Sequence, residues 1–555
     1  METAWATEHI PQSHQRSVLS FLGQQCCIIP AEARHITILH QPSEFYEQLK
    51  AMVTAAERKV MMSALYIGDG PLSRGLMECI ENKAKDMKAQ GKAFEVNIIL
   101  DYNRMHDRQN LKTVQNLLAL DYEYDNKNNN KRDTEGRISI KVHLFQNPCE
   151  WNRLFTPLGR AKEVLVQHTK LFVFDERHTI LTGANLSDDY FVTRMDRYVV
   201  MRENPYLAKW CSRLMDVLVR VSHRVICREE FDKVWSEVTS PLLEEPKGLF
   251  QKIVHSVTPV REQAVSSPTH HRRSDCIILP NESKWCPSEQ TAQFTQHCAK
   301  LLAEFEKEMS TELSGVALAA FTDTAGEKEK TYDTLLFPTV QFARAHLYHD
   351  SHVVQHLLRL LTDQDHLFLT SPYLNMYSDF VEEILHNTNS NQNKSCYFDA
   401  ITASTITNGW QGHKGMAGRI PYFYLQLERS FYYLMKYYHA LHRVRVREFS
   451  REGFTFHAKG LWVMERGEQK DQDTTQPPYL VAYGSTNYGY RSVHKDVEAE
   501  VFLFTVNQTL RDSLRRELQL LLDDSITVEE ERFLGLNGKF QPVVSVMAQM
   551  GQNFL

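Results

Sequence analysis

Two short patterns, one in each half of the chain, place a lysine two residues after a histidine. His168 and Lys170 form the first pattern, and His457 and Lys459 form the second. Both lie in apolar, β-prone runs. Because alternate residues of a strand face the same side, each pattern directs an imidazole and an ammonium group at one ligand. Lysine neutralises phosphate oxygens, while histidine attacks phosphorus or moves a proton near neutral pH. The two copies therefore predict one phosphoryl site with a histidine from each half.

Each pattern is followed by a turn that contains an asparagine and then by an acidic residue. Asn185 stands eleven residues before Asp196, and Asn487 stands eleven residues before Glu498. A single His-x-Lys occurs by chance in most long sequences, but the shared order and offset are much rarer. The two histidines are 289 residues apart, so the repeat has the size of a domain and not of a solenoid unit.

The length of 555 residues and the composition describe a large folded protein with more than one domain. Hydrophobic residues make up 42% and charged residues 24% of the chain, which is ordinary for globular proteins. The formal net charge of −6 argues against non-specific nucleic-acid binding as the main function. The ten cysteines lack metal-ligand spacing, so we expect reduced thiols in an intracellular protein. The chemistry outlined above requires neither a metal nor a cofactor.

Strand-like and helix-like segments alternate along both halves, which predicts an α/β sandwich. The predicted strands are 35–39, 60–66, 96–100, 139–145, 163–175, 366–370 and 396–403, and the principal helices are 42–58, 291–308 and 376–386. The expected polar surface insertions are 121–137, 387–394 and 465–478. A segment rich in Ser, Pro, His and Arg, 257–290, is expected to connect the two halves.

The two patterns together resemble the signature of the phospholipase D superfamily, which is His-x-Lys-x4-Asp followed by Gly-Ser-x-Asn in each of two repeats. A narrower resemblance, over residues 36–510, is to the eukaryotic phosphatidylglycerophosphate synthases. The segments that support it are 181–191 (LTGANLSDDYF), 194–198 (RMDRY), Asn408-Gly409, Lys414-Gly415, 454–462 (FTFHAKGLW) and 487–492 (NYGYRS).

This resemblance implies two phospholipase D-like α/β sandwich repeats, packed as a pseudo-two-fold pair with the active site at their interface. The expected divisions are an N-terminal extension over 1–35, a first domain over 36–256, a linker over 257–290, a second domain over 291–535 and a C-terminal tail over 536–555.

The chain departs from the family pattern in three places. Met464 occupies the position of the second Asp, which puts in doubt any role for an acid at the end of that strand. The first repeat has residues 182–185 (TGAN) where Gly-Ser-x-Asn is usual. Glu2 and Glu8 precede the first arginine, Arg16, so no mitochondrial transit peptide is evident.

The activity implied by the resemblance is transfer of the phosphatidyl group from CDP-diacylglycerol to glycerol 3-phosphate, a step in phosphatidylglycerol and cardiolipin synthesis. One histidine attacks the β-side phosphorus, forming phosphatidyl-histidine and releasing CMP. The other histidine protonates the departing phosphate and then takes the proton of the acceptor hydroxyl. We favour His168 as the nucleophile. A phosphatidylserine synthase, a phosphodiesterase or nuclease that uses water, and an inactive membrane scaffold are the alternatives.

The candidate site residues form three groups. The catalytic candidates are His168, Lys170, Asp175, His457 and Lys459. A structural carboxylate at the end of its strand is the alternative for Asp175. By resemblance, Asp196 and Glu498 each hold a histidine in its working tautomer, while the two lysines, Asn185 and Asn487 contact phosphoryl oxygens. The substrate-binding candidates are Arg104, Lys414 and Ser485, and an ordinary surface position is the alternative for Arg104 and Lys414.

A lipid substrate requires contact with a membrane. No apolar run reaches the roughly 18 to 20 residues that cross a bilayer, so we expect peripheral contact. Residues 430–449 combine aromatic with basic side chains, which suits a membrane surface, although a core helix that ends in a strand is the alternative. The tail segment 540–547 is a second candidate. The resemblance implies a location at the mitochondrial inner membrane, whereas the acyl chains and the oligomeric state stay open.

Overall fold

The computed structural model describes residues 10–106, 110–128, 136–149, 165–239, 276–281, 283–322, 332–389, 396–414, 417–466 and 476–534. The elements up to residue 278 are α1 (Ser13–Gln25), β1 (Ile29–Ala31), β2 (Ile36–Leu39), α2 (Pro42–Ala55), β3 (Lys59–Ser63), α3 (Pro71–Ala89), β4 (Phe94–Asp101), α4 (Tyr102–Met105), α5 (Gln115–Asn128), β5 (Ile138–Phe145), β6 (Leu171–Phe174), β7 (His178–Thr182), α6 (Asp188–Val192), β8 (Arg194–Met195), β9 (Tyr198–Met201), α7 (Pro205–Arg220), β10 (His223–Cys227), α8 (Arg228–Thr239) and β11 (Cys276–Ile278).

The later elements belong to the second half of the chain. They are α9 (Thr291–Thr322), β12 (Thr334–Phe342), β13 (Leu347–Tyr348), α10 (His349–Leu360), β14 (Asp365–Thr370), α11 (Ser378–Asn389), β15 (Tyr397–Ala403), α12 (Ile420–Tyr437), β16 (Val444–Phe449), β17 (Thr455–Phe456), β18 (Gly460–Glu465), β19 (Pro478–Gly484), α13 (Tyr490–His494), β20 (Glu498–Thr505), α14 (Gln508–Asp523), β21 (Ser525–Thr527) and α15 (Glu531–Leu534).

Two large sheets repeat one arrangement of six central strands. The first sheet has the order β11-β10-β5-β4-β3-β6-β7-β9-β2, and the second has the order β1-β12-β20-β19-β18-β14-β15-β16-β21. Strands β3, β4 and β5 are parallel, and β6, β7 and β9 continue the sheet in antiparallel fashion. Strands β14, β15 and β16 are likewise parallel, followed by antiparallel β18, β19 and β20. The parallel strands are joined by helical crossovers, which such pairs require.

Three clusters of buried apolar side chains hold these layers together. One cluster lies on the outer face of the first sheet, against α2, α3 and α5, and a second lies on the outer face of the second sheet, against α1, α10, α11 and α12. The third cluster is shared by both sheets and by α7, α9 and α14, with Leu171 from the first half and Trp462 from the second. The central strands are buried on both faces, so their sequences are nearly continuous apolar runs.

Several segments fold differently from the sequence-based expectation. The predicted N-terminal extension contains α1 and β1, and β1 pairs with β12 of the second sheet. Within the predicted linker, β11 pairs with β10 of the first sheet, whereas 257–275 lies outside the described residues. Part of the predicted insertion 121–137 is helical, since α5 ends at Asn128. Residues 390–394 of the predicted insertion 387–394, residues 467–475 of the predicted insertion 465–478 and the predicted tail 536–555 lie outside the described residues.

Candidate active site

The two histidines are fixed by backbone hydrogen bonds that cross between the halves. The His168 N–H donates to the Val497 carbonyl at 2.9 Å, and the His457 N–H donates to the Met195 carbonyl at 2.8 Å. Each acceptor directly precedes one of the paired acids. Next to the second contact, β17 pairs in parallel with β8. The same local arrangement therefore occurs twice, with the partners exchanged between the halves.

The side chains repeat this crossed arrangement. Nδ1 of His168 lies 2.9 Å from Oε2 of Glu498, and Nδ1 of His457 lies 2.6 Å from Oδ2 of Asp196. An ionised carboxylate only accepts hydrogen bonds, so each Nδ1 holds the proton and each Nε2 carries the lone pair. Both imidazoles are almost fully buried. The expectation that Asp196 and Glu498 each face a histidine agrees with this geometry.

The two lysines lie beside the histidines and are completely buried. Lys170 donates from Nζ to the His168 carbonyl at 2.6 Å, and Lys459 donates to the His457 carbonyl at 2.7 Å. Nζ of Lys459 also lies 2.6 Å from Nδ1 of His457 and 3.5 Å from Oδ2 of Asp196. One Nδ1 cannot donate to Asp196 and accept from Lys459 at the same time. We assign the proton to Nδ1 of His457, which donates it to Asp196, because Lys459 already donates to the His457 carbonyl.

Burial of these charged groups in one place shifts their pKa values strongly. Burial lowers the pKa of both His168 and His457 well below the usual value. The positive charge of the lysine from the other half lowers the pKa of each histidine further. Burial raises the pKa of Glu498 to about 7 and lowers the pKa of Lys459 to about 8. Buried cations that repel each other gain most from an anionic ligand, so the site suits a phosphoryl group.

Asn185, Asn487 and Ser485 differ in what they contact. Oδ1 of Asn185 accepts the Leu65 N–H at 3.2 Å, which orients the side-chain amide. Nδ2 of Asn185 has no hydrogen-bond acceptor among the described residues. Oδ1 of Asn487 is buried and has no hydrogen-bond partner among the described residues. The Ser485 hydroxyl donates to Oε2 of Glu498. Ser485 therefore orients the carboxylate that faces His168, and its role in substrate binding stays a prediction.

Asp175 lies away from the histidines, at the opposite end of β6. Its carboxylate accepts backbone N–H groups of Glu57, Arg58 and Lys59 at 2.8, 2.7 and 2.9 Å. Its backbone has a positive φ of 54°, which is uncommon for a non-glycine residue. The carboxylate holds the turn between α2 and β3 against the end of β6. This geometry fits the structural alternative for Asp175, whose catalytic role stays a prediction.

Arg104 and Lys414 have different surroundings. Arg104 lies in α4, directly after β4, and its N–H donates to the Asp101 carboxylate at 3.0 Å. Burial raises the pKa of Asp101 to about 7, although the charge of the Arg104 guanidinium lowers it. Asp101 accepts the N–H of Gln167 at 2.8 Å, directly before His168. Arg104 is thus at the margin of the site. Lys414 is exposed at the end of a surface turn, and Gly415 lies outside the described residues.

Tyrosine and arginine side chains around His457 were not among the sequence candidates. The hydroxyl of Tyr190 lies 3.1 Å from Nε2 of His457, and the Arg194 guanidinium lies 4.7 Å from the centre of the Tyr190 ring. Tyr373 places its ring 6.4 Å from the His457 ring and stacks on Tyr424 at 4.6 Å. Tyr190 and Arg194 lie between Asn185 and Asp196 in the sequence, so proximity to those motifs was the available signal.

The aromatic and basic segment 430–449 is divided by the fold. Arg445 and Arg447 form ion pairs with the buried Asp399, each at 2.9 Å. By contrast, Tyr437 and Tyr438 at the end of α12 are 76% and 45% exposed. The segment is therefore a helix followed by a strand, and its arginines at 445 and 447 are held in ion pairs within the fold.

No family model matches the chain. The chain is 29% identical over 504 residues to the mitochondrial CDP-diacylglycerol–glycerol-3-phosphate 3-phosphatidyltransferase of Gallus gallus, covering 90% of this chain and 80% of the relative. The Homo sapiens protein of the same name is 29% identical over 94% of this chain and 83% of its own length. The Saccharomyces cerevisiae relative, also a CDP-diacylglycerol–glycerol-3-phosphate 3-phosphatidyltransferase, is 24% identical over 90% of this chain and 84% of its own length.

The predicted resemblance is confirmed. Among solved structures, a phosphatidylserine synthase of Haemophilus influenzae matches with a TM-score of 0.58 and 15% identity, over 98% of this chain and 100% of that one. This match and the two sheets confirm the predicted α/β fold class. Within the described residues, no helix is both long and apolar enough to cross a bilayer.

Proposed function

We propose that this chain transfers the phosphatidyl group of CDP-diacylglycerol to glycerol 3-phosphate, releasing CMP and forming phosphatidylglycerophosphate. The main observation in favour is the crossed pair of histidine–carboxylate contacts, His168 with Glu498 and His457 with Asp196. Two activated imidazoles in one buried site suit a displacement at phosphorus that proceeds in two steps. The relatives from vertebrates and yeast are named for this reaction.

The environments of the two imidazoles favour His168 as the nucleophile. Nε2 of His168 has no hydrogen-bond partner among the described residues, whereas Nε2 of His457 contacts the Tyr190 hydroxyl. A free lone pair on a neutral imidazole is what attack on phosphorus requires. Burial lowers the pKa of His168, which keeps this lone pair available around neutral pH.

The first step forms a bond between Nε2 of His168 and the phosphorus that bears the diacylglycerol, and breaks the bond from this phosphorus to the CMP oxygen. The departing phosphate takes a proton from His457. The negative charge of the bound diphosphate raises the pKa of His457, against the lowering by burial, and so supplies the protonated form. Asp196 stabilises this imidazolium from the Nδ1 side.

The second step reverses these roles. A hydroxyl of glycerol 3-phosphate gives its proton to Nε2 of His457, and its oxygen bonds to the phosphorus as the bond to His168 breaks. Lys170, Lys459 and the amide of Asn185 neutralise or donate to the phosphoryl oxygens as charge develops. The same residues serve both half-reactions, so ping-pong kinetics are expected.

The test is release of radiolabelled CMP from CDP-diacylglycerol with and without an acceptor. We expect release of labelled CMP together with formation of phosphatidylglycerophosphate when glycerol 3-phosphate is the acceptor, and no lipid product with serine. Equal CMP release without any acceptor would identify a hydrolase instead, and product with serine would identify a phosphatidylserine synthase. Substitution of His168 or His457 by Ala should lower turnover by at least about 10⁴-fold at unchanged folding, and full activity of either variant would exclude this mechanism.

The finer features of the proposal concern location and organisation. Peripheral contact with a membrane follows from the diacylglycerol substrate, and the relatives named mitochondrial support a mitochondrial site of action at the inner membrane. We further propose that 36–256 and 291–535 are the two repeats, with β1 and β11 as additions to their sheets.

A further inference from the structure

Two large apolar side chains are exposed beside the candidate active site. Val192, at the end of α6, is 51% exposed, and Ile406, in the turn after β15, is 58% exposed. They are far apart in sequence. Isolated exposed apolar residues are ordinary on protein surfaces, so their significance depends on whether the fold brings them together next to the site.

Backbone hydrogen bonds place both residues next to the strand that leads to His457. The Thr455 N–H donates to the Thr193 carbonyl at 3.0 Å, and the Phe456 N–H donates to the Thr407 carbonyl at 2.8 Å. The three segments therefore run side by side, with 455–456 in the middle. With a spacing of about 4.8 Å between neighbouring segments, Val192 and Ile406 lie roughly 10 Å apart.

Phe454 lies between them, at the start of the middle segment. Its ring is half-buried against the central apolar cluster, and the Arg451 guanidinium lies 3.9 Å from the ring centre. Val192, Ile406 and Phe454 are called the apolar rim below. Because Phe454 precedes His457 by three residues, the rim lies close to this histidine.

The rim is bordered by basic residues. Arg451 is about one-third exposed and pairs with Asp524 at 3.7 Å, while Lys414 and Arg419, which follow Ile406 in the chain, are both exposed. Segment 404–420 contains no Asp or Glu. The acids nearest in sequence are Asp189 and Glu452, and Asp189 pairs with Arg194 at 3.2 Å. Arg451 and Arg194 are thus paired with acids, and the exposed cations on this side of the rim are Lys414 and Arg419.

The same turn is anchored to the catalytic pocket. Gly409 lies so close to Arg194 that a Cβ atom there would be 2.5 Å from the guanidinium. Arg194 in turn lies over the ring of Tyr190, whose hydroxyl contacts His457. The position of the turn is thus fixed relative to the histidine by direct contacts.

We propose that the apolar rim rests on the surface of a bilayer that contains anionic lipid, and holds the catalytic pocket at the depth of the lipid headgroups. The inference depends on the proposed function, since it assigns a docking surface to an enzyme whose substrate keeps its acyl chains in the membrane. Apolar side chains enter the boundary of the acyl region while neighbouring cations bind anionic headgroups. Phosphorus of the lipid then reaches His168 without extraction of the chains.

The experiment compares two double variants of the full chain. Val192→Asp with Ile406→Asp places charges in the rim, whereas Tyr437→Asp with Tyr438→Asp changes an equally exposed pair farther along α12. Tyr424 of α12 marks the site, since it stacks on Tyr373 beside His457. Tyr437 is 13 residues beyond Tyr424, or about 20 Å along the helix. Binding is measured by co-sedimentation with phosphatidylcholine vesicles that contain roughly a quarter phosphatidylglycerol.

We expect the rim variant to bind these vesicles at least about tenfold more weakly than the native chain. The tyrosine variant should bind like the native chain. Activity on CDP-diacylglycerol in vesicles should fall in parallel for the rim variant, while activity on a water-soluble short-chain CDP-diacylglycerol stays within about twofold. Unchanged vesicle binding of the rim variant, or an equal loss in both variants, would overturn the assignment of this surface.

The short-chain substrate separates this inference from the proposed function. If the native chain binds vesicles through the rim but releases no CMP from the short-chain substrate with glycerol 3-phosphate, the proposed function fails and the docking surface stands. If the native chain turns over the short-chain substrate but the rim variant binds vesicles normally, the docking surface fails and the function stands.

Discussion

The two histidines share one type of carboxylate contact but differ at the reactive nitrogen. Nε2 of His457 contacts the Tyr190 hydroxyl, and Tyr190 is itself buried, which raises its pKa well above the usual value. A protonated hydroxyl donates to the lone pair of Nε2 and so favours neutral His457. At the scale of single residues, the near-symmetric site therefore assigns different protonation behaviour to its two imidazoles.

Replacement of Tyr190 by Phe tests this difference. The ring contact with His457, edge-on at 5.0 Å, should persist, while the donor to Nε2 is lost. Without this donor the pKa of His457 rises, so the limb of the pH profile of kcat that reports His457 should move up by as much as about one unit. We expect kcat at neutral pH to fall about tenfold. Tyr373→Phe is the control, and an identical pH profile for the native chain and Tyr190→Phe would contradict the assignment.

Asp175 and Asp196 differ in what their carboxylates contact, although both belong to the sequence motif region. Asp175→Asn should lower the free energy of unfolding by about 1–2 kcal/mol, because three backbone N–H groups lose an ionised acceptor, with kcat near the native value. Asn tolerates the positive φ at this position, so backbone strain does not confuse the result.

The matched variant is Asp196→Asn, which should lower kcat by about 10²- to 10⁴-fold. Chemical denaturation and steady-state kinetics on both variants make the comparison. A large loss of kcat in Asp175→Asn with normal stability would support a catalytic role for Asp175.

At the scale of the elements, the strand ends explain one departure from the family pattern. In the second half Ser485, at the end of β19, donates to Glu498. In the first half the corresponding residue after β7 is Gly183, where a Cβ would lie 2.6 Å from Oδ1 of Asp196 and 2.9 Å from Nζ of Lys459. Asp196 has a shorter side chain than Glu498, and its carboxylate therefore lies closer to the strand end. Only glycine at position 183 leaves room for it there.

Gly183→Ala should accordingly displace Asp196 and lower kcat by at least about tenfold, with a smaller effect on KM. The control is Gly315→Ala in α9, where a Cβ meets no atom within 4 Å and the residue is exposed. That variant should keep its activity and gain about 0.5–1 kcal/mol of stability, since alanine favours a helix over glycine. Normal kcat in Gly183→Ala would show that the strand end has room to adjust.

At the scale of the whole molecule, one buried arginine joins the two halves next to the site. Arg197, directly after Asp196, donates to both carboxylate oxygens of Glu517 in α14, at 3.1 and 2.9 Å. Its guanidinium lies between Trp462 and Tyr483, 3.7 and 4.0 Å from their ring centres. Because Arg197 follows Asp196 in the chain, this contact fixes the position of the carboxylate that His457 requires.

Arg197→Met should therefore destabilise the protein and reduce activity together. A buried Glu517 without its partner costs about 3–5 kcal/mol, and misplacement of Asp196 should lower kcat in the remaining folded protein. The comparison is Lys209→Met, which removes an exposed ion pair with Glu312 between α7 and α9 and should cost less than about 1 kcal/mol. Thermal unfolding measures both, and equal effects of the two variants would show that Arg197 is not essential to the interface.

The sequence alone predicted the features that depend on local patterns. The alternation of apolar runs with amphipathic helices located the predicted strands, apart from 163–175, to within a few residues, since strand and helix periodicity are properties of neighbouring residues. Likewise, His168, Lys170, His457 and Lys459 were recognisable because the face of a strand is set by residues two apart. Short pieces such as β1 and β11, three residues each, have too little periodicity to be detected.

Only the tertiary structure decided which groups meet. The pairing of His168 with Glu498 joins residues 330 positions apart, and nothing in a local pattern distinguishes it from a contact within one repeat. The carboxylate contact of Asp175 was likewise decided by the turn that folds against it, and the position of α1 and β1 by a sheet formed from the other half. Such contacts depend on how two separately folded sheets pack, because burial at their interface, and not sequence proximity, selects the partners.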